Sequence, residues 1–169
     1  VKAYANAWYT VERKPEEFAK QAKVVLEKGY KALKVDPFGP GALELSQAEK
    51  VRSAELVAAI RGAVGPEVEI FIEMHGRFSA ATAIELARML EPYSPGWIEE
   101  PCPPEDIPSL KKVAEHVSLP VATGERCFTR YGFREVIESG APDIIQADPI
   151  HAGGILEMKK IAAMADVRS

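Results

Sequence analysis

The sequence has few cysteines, no long apolar run and no excess of positive charge, and each absence excludes a class of protein. Only Cys102 and Cys127 occur among the 169 residues, so a disulfide framework and a CxxC motif are both excluded. No apolar run approaches the roughly 20 residues that span a bilayer. The net charge of -4 argues against a nucleic-acid partner. We therefore expect a soluble, cytoplasmic protein that binds neither nucleic acid nor membrane.

The composition is that of one ordinary globular domain, because apolar residues make up 47% and charged residues 27% of the chain. The chain starts at Val1 in a strand-like segment and stops at Ser169 just after a helix-like one. We expect residues 1–169 to be one part of a longer protein.

Short strand-like runs alternate with longer helix-like runs along the chain. The predicted strands are 1–9, 30–38, 68–76, 96–101, 119–125 and 141–149, and the predicted helices are 15–28, 46–63, 79–91, 106–116, 129–139 and 153–166. Six β-α units in succession predict parallel strands joined by helices.

An open doubly wound sheet and a (β/α)8 barrel both fit this pattern. No GxGxxG follows the first strand and no GxxxxGK[ST] occurs in the chain, which weakens the nucleotide-binding open sheet. In a barrel the functional residues lie at the carboxyl ends of the strands. Ionisable residues end strand after strand here, which favours the barrel.

Three glutamates end successive predicted strands at a constant interval. Glu73 precedes Glu99 by 26 residues, Glu99 precedes Glu125 by 26, and Asp148 follows 23 residues later. Each interval is about one β-α unit, so these carboxylates should lie side by side at the barrel mouth. They would repel one another unless a cation neutralised them. Hard oxygen ligands suit Mg2+, so we predict a magnesium site.

Strand alternation decides which neighbours share a face. Glu73 and His75 should point the same way, whereas Glu99 and Glu100 should point oppositely. Only one of the latter pair can face the site, and we interpret Glu100 as a solvated residue or as half of a salt bridge behind the sheet.

Two arginines close to Glu125 allow two interpretations. Arg126 and Arg130 could contact a substrate carboxylate or hydroxyl groups, or could be ion-paired structural residues. Lys34 and Asp36 share a face of their strand, and the stem of Lys34 could merely cover apolar surface.

Several motifs together resemble the enolase superfamily, in its mandelate racemase group and the acid-sugar dehydratase subgroup that includes galactonate dehydratase. Their order and spacing carry the resemblance over nearly the whole chain. They are FIEMHGR at 71–77, WIEEP at 97–101, TGER at 123–126, GERCFTRYGF at 124–133 and IIQADPIHAGG at 144–154.

The resemblance implies a truncated (β/α)8-type (TIM) barrel without the capping domain that closes over substrate, and it implies roles for individual residues. Glu73, Glu99 and Glu125 would be the three Mg2+ ligands, although position 73 is commonly Asp in this group. His75 would match the general acid. Asp148 would match the carboxylate that orients a histidine base on a following strand, beyond Ser169.

The reaction implied is the dehydration of a sugar acid. A base removes the proton next to the carboxylate, the metal stabilises the enediolate, and a general acid protonates the leaving hydroxyl, giving a 2-keto-3-deoxy acid. The expected partner is therefore a small-molecule sugar acid, and a homo-oligomer is possible. Without the histidine base and the cap, the 169 residues alone should show little turnover.

Position 36 bears on the alternatives. Lys34 is retained as a catalytic candidate, but Asp36 stands where the racemases of the group place the second lysine of a KxK motif, which disfavours two-base racemisation. A racemase or epimerase of the same superfamily, a non-catalytic homologue and an unrelated metal-dependent barrel such as an aldolase stay as alternatives.

Overall fold

The computed structural model describes residues 3–167, which form a parallel sheet covered by helices. The strands are β1 Ala32–Val35, β2 Glu69–Glu73, β3 Trp97–Glu99, β4 Val121–Thr123 and β5 Ile144–Ile145. The helices are α1 Pro15–Glu27, α2 Gln47–Val64, α3 Ala80–Leu90, α4 Ile107–Ala114, α5 Thr129–Ser139, α6 Pro149–Ala152 and α7 Ile155–Asp166, and a 3-10 turn follows α3 at Glu91–Tyr93.

The strand order decides between the two architectures that fit the sequence. Every strand pairs in parallel with the next one along the chain, in the order β1-β2-β3-β4-β5. A doubly wound sheet reverses its strand order at a switch point, and none occurs among these five strands. Successive helices also pack against one another, from α1 on α2 to α5 on α7. This is the arrangement of one arc of a (β/α) barrel.

Local signals explain where the helices begin and end. Ser46, Ser79 and Asp106 each precede a helix, and their side chains accept a hydrogen bond from a backbone N–H in its first turn. Gly140 ends α5 in the left-handed conformation that a C-cap requires.

Strand alternation divides apolar from polar side chains. Leu33, Ile70, Ile72, Ile98 and Val121 are fully buried beneath the helices. The alternate positions include Lys34, Glu73 and Glu99, which are therefore directed to the barrel interior. The hydrophobic effect thus fixes the sheet from its outer side and leaves the inner side for chemistry.

Three predicted elements differ clearly from the structure, one of them the strand predicted at 141–149, which is reduced to Ile144–Ile145. In the first predicted strand, Ala5 forms only an isolated bridge with Leu33, and Val1 and Lys2 lie outside the described residues. The last predicted helix is preceded by the separate short helix α6, because Gly153 and Gly154 adopt positive φ angles and interrupt the chain between α6 and α7. No helix within residues 3–167 is long and apolar enough to cross a membrane.

Candidate metal centre

Three glutamate side chains converge at the carboxyl end of the sheet. Glu73 and Glu99 are the last residues of β2 and β3 and lie opposite each other in the strand register. Glu125 follows β4 by two residues. One carboxylate oxygen from each residue lies within 4.8 Å of the others. The equal sequence intervals therefore correspond to adjacent positions in space, as one β-α unit per interval requires.

Lys34 is buried on the neighbouring strand and bridges two of these carboxylates. Its ammonium nitrogen donates to Glu73 Oε2 at 2.8 Å and to Glu99 Oε1 at 2.6 Å. Burial opposes its charge, but the two carboxylates outweigh burial and raise the pKa of Lys34. Burial and the nearby Glu99 raise the pKa of Glu73 to about 7. Two ionised carboxylates beside one ammonium would carry an excess of negative charge, which a bound cation would neutralise.

The second oxygen of Glu99 is held by two residues that sequence analysis did not assign to the site. Trp97 Nε1 donates to Glu99 Oε2 at 3.1 Å, and Gln146 Nε2 donates to the same oxygen at 3.0 Å. Burial opposes ionisation of Glu99, but hydrogen bonds with Glu73, Lys34 and Gln146 prevail and lower its pKa. Trp97 precedes Glu99 by two residues, so strand alternation could have placed it on this face. Gln146 offered no such local signal.

His75 lies beside the cluster in a network of its own. β2 ends at Glu73 and His75 has a φ of 54°, so contacts rather than strand alternation fix the direction of the His75 side chain. Its backbone N–H donates to Glu73 Oε1 at 2.9 Å, while its Nδ1 lies 2.8 Å from Asp36 Oδ2. Arg77 donates to that same oxygen at 2.7 Å.

This network favours the protonated form of the His75 ring. The hydrogen bond with Asp36 raises the pKa of His75 against the effect of its burial. Burial opposes the charge of Asp36, but the bonds from His75 and the Phe38 amide lower its pKa. With Nδ1 committed to Asp36, the ring nitrogen left for other partners is Nε2.

Glu100 is buried and ion-paired, which excludes the solvated alternative. Its carboxylate lies on the opposite side of β3 from that of Glu99 and 3.3 Å from Arg126. Arg126 also lies 3.6 Å from Glu125, and Arg130 pairs with Glu157 at 2.8 Å. Both arginines are therefore engaged in ion pairs within the chain.

Asp148 is not a member of the carboxylate group formed by the three glutamates. It was expected at a strand end, but β5 ends at Ile145, and Asp148 instead caps α6 by accepting from the Ile150 amide at 2.6 Å. His151 Nδ1 is 3.3 Å from the Glu125 carbonyl. The role of Asp148 toward a histidine of another segment stays a prediction.

The donor set fits a hard divalent cation. Three carboxylates supply oxygen ligands of the kind that Mg2+ prefers, and Lys34 neutralises only part of their charge. Glu73 and Glu99 are almost fully buried, whereas the side chain of Glu125 is 40% exposed. A cation held here would be open on one side to solvent or to a ligand.

Comparison with known proteins identifies the relatives of this chain. Over all 169 residues the chain is 44% identical to D-gluconate dehydratase of Thermoproteus tenax and spans 34% of that protein. It is 38% identical over 166 residues to D-gluconate/D-galactonate dehydratase of Picrophilus torridus, of which it spans 42%. The crystal structure of a mandelate racemase/muconate lactonizing enzyme from Jannaschia sp. CCS1 superposes with a TM-score of 0.91 at 38% identity, over 99% of this chain and 46% of that one.

The chain thus spans about a third to two fifths of the length of these two curated relatives. The family described as "Enolase C-terminal domain-like" matches residues 17–169. Together with the parallel strand order, this confirms the predicted barrel fold, and the chain belongs to the enolase C-terminal domain-like family of the enolase superfamily.

Proposed function

We propose that the complete protein is a magnesium-dependent dehydratase of sugar acids. The observation that carries the proposal is the convergence of the Glu73, Glu99 and Glu125 carboxylates within 4.8 Å beside His75. The names of the relatives, D-gluconate and D-galactonate dehydratase, support six-carbon sugar acids as the substrate class.

Each residue has a distinct part in this proposal. Glu73, Glu99 and Glu125 would hold Mg2+, which when bound supplies positive charge to stabilise the negative charge that develops on the substrate carboxylate. His75 would carry a proton on Nε2 and give it to the departing hydroxyl. Asp36 fixes the ring through Nδ1, and Lys34 contributes a second positive charge next to the carboxylates.

The engagement of Asp36 supports dehydration over racemisation. A two-base racemase would need a second base near this position. Here the Asp36 carboxylate is hydrogen-bonded to His75 and paired with Arg77, and such a low-pKa carboxylate is a weak base.

The test is a screen of sugar acids with the complete protein and Mg2+, in which the 2-keto-3-deoxy product is measured. We expect product from at least one six-carbon acid, and its loss in Glu125→Gln. The control is Glu135→Gln, the same change at an exposed position of α5. Absence of product from every acid, with fold and metal binding intact, would favour a racemase or a non-catalytic homologue.

The role of His75 has its own assay. In D2O, His75→Gln should still exchange the proton next to the substrate carboxylate while forming much less product, because removal of that proton does not need the general acid. Parallel loss of exchange and product would contradict this role.

A further inference from the structure

Glu100 is a buried carboxylate that does not belong to the three-glutamate cluster. It is 1% exposed and has a φ of 47°, in the left-handed region that is uncommon for residues with a side chain. Its Oε1 accepts hydrogen bonds from the Thr123 hydroxyl and, at 2.9 Å, from the Gly124 amide, while Oε2 faces Arg126. A buried charge is costly unless it is paired and hydrogen-bonded. The partners of the Glu100 carboxylate, which are Thr123, Gly124 and Arg126, lie at the end of β4 or just past it.

The backbone of Glu100 reaches the strands on both sides. Its carbonyl accepts from the Gly76 amide at 2.6 Å, just past the end of β2, and its own amide donates to the Ala122 carbonyl in β4 at 2.9 Å. One residue of the β3 end is therefore joined to the ends of β2 and β4. These three strand ends carry Glu73, Glu99 and Glu125.

Arg126 completes the same connection from the other side. Its guanidinium lies between the carboxylates of Glu100 and Glu125, at 3.3 and 3.6 Å. It also packs over Gly76 so closely that a Cβ there would overlap its Nη1. The guanidinium thus contacts the segments that follow β2 and β4.

We propose that Glu100, together with Arg126, is the positioning residue of the metal centre, which holds the Glu125 carboxylate in register with Glu73 and Glu99. Of the three glutamates, Glu125 depends most on this positioning, because its side chain is 40% exposed and little packing holds it in place. The side chains of Glu73 and Glu99 are only 3% and 2% exposed. This inference rests on the proposed metal-dependent function.

The test measures metal affinity rather than turnover. In the complete protein, Mn2+ binding is followed by electron paramagnetic resonance and Mg2+ binding by competition. We expect Glu100→Gln to raise the Kd for both ions about tenfold or more, as is typical when a partner of a metal ligand is lost. Glu138→Gln is the matched control, because Glu138 is an exposed, ion-paired glutamate on α5, and its Kd should not change.

A second variant separates positioning from charge, since Glu100→Gln also removes one negative charge near the site. Thr123→Val deletes one hydrogen bond to Glu100 without altering charge or any ligand, and we expect a rise in Kd of about three- to tenfold. If Glu100→Gln does not fold, Thr123→Val alone tests the positioning role of Glu100. Val136→Ala, which weakens the core behind α5, controls for lost stability, and its Kd should equal that of the wild type.

Two results would overturn the inference. One is a Kd within twofold of wild type in the folded Glu100→Gln or, if that variant does not fold, in Thr123→Val. The other is an equal rise in Kd in Val136→Ala. Glu99→Gln in the same assay tests the proposed function separately, because unchanged Mn2+ binding in that variant would refute the metal site itself.

Discussion

Lys34 Nζ lies 2.6 Å from Oε1 of Glu99, and both side chains are buried at the carboxyl end of the barrel arc. The same ammonium is 2.8 Å from Glu73. The chain thus supplies an internal cation where two buried carboxylates meet. The removal of one member of a buried ion pair leaves an uncompensated charge, which costs far more than the loss of a surface pair.

We expect Lys34→Met to make the stability of the protein depend on metal. In EDTA the variant should lose about 3 kcal/mol of the free energy of unfolding, because Glu73 and Glu99 then repel each other without a counter-ion. Saturating Mg2+ should restore much of this loss and raise the Tm of the variant more than that of the wild type. The control is Lys111→Met, at an exposed position of α4. Equal effects of Mg2+ on variant and wild type would contradict the prediction.

The contribution of His75 to stability should depend on pH. Because Asp36 raises the pKa of His75, the protonated ring is favoured in the folded state. Its contribution is therefore fully present below the unfolded pKa of about 6.5 and is lost as the pH rises through the folded pKa. In urea unfolding with EDTA, the stability deficit of His75→Gln should be largest just below pH 6.5 and shrink at alkaline pH. A deficit that is constant from pH 5.5 to 9 would refute this.

Trp97 should report metal binding by its fluorescence, since its indole nitrogen donates to Glu99 Oε2 at 3.1 Å. Addition of Mg2+ to the complete protein should change the emission, and Trp97→Phe should remove that change. Trp8→Phe should keep it, because the indole of Trp8 donates only to the backbone carbonyl of Lys34. Loss of the signal in both variants, or in neither, would show that Trp97 does not sense the site.

Gly124 should not tolerate a side chain. Its φ is 129°, and a Cβ would lie 2.7 Å from the Phe133 ring and 2.9 Å from the Gln146 carbonyl oxygen. We expect Gly124→Ala to lower the free energy of unfolding by about 2 kcal/mol or more. Gly62→Ala, in the last turn of α2 with nothing within 4 Å of its Cβ, should instead stabilise the protein by about 0.5 kcal/mol. Urea denaturation of both variants checks the contrast.

Much of the fold could be predicted because its causes are local. Apolar periodicity and capping residues such as Ser46 and Gly140 define the helices. The first predicted strand was wrong in extent because alternation at 1–9 does not reveal how much of the segment finds a partner, and only Ala5 does so among the described residues.

The sequence by itself determined that Glu73, Glu99 and Glu125 meet, because one glutamate per β-α unit places them at neighbouring strand ends in any parallel arrangement with consecutive order. The same argument included Asp148, which the structure places in the cap of α6 instead. Only the tertiary structure decided what holds the three glutamates. His75 and Glu100, just past the ends of β2 and β3, adopt left-handed backbone conformations, so strand alternation does not specify which groups their side chains contact. The partners of these residues then follow from the register and spacing of separate strands, which no local pattern encodes.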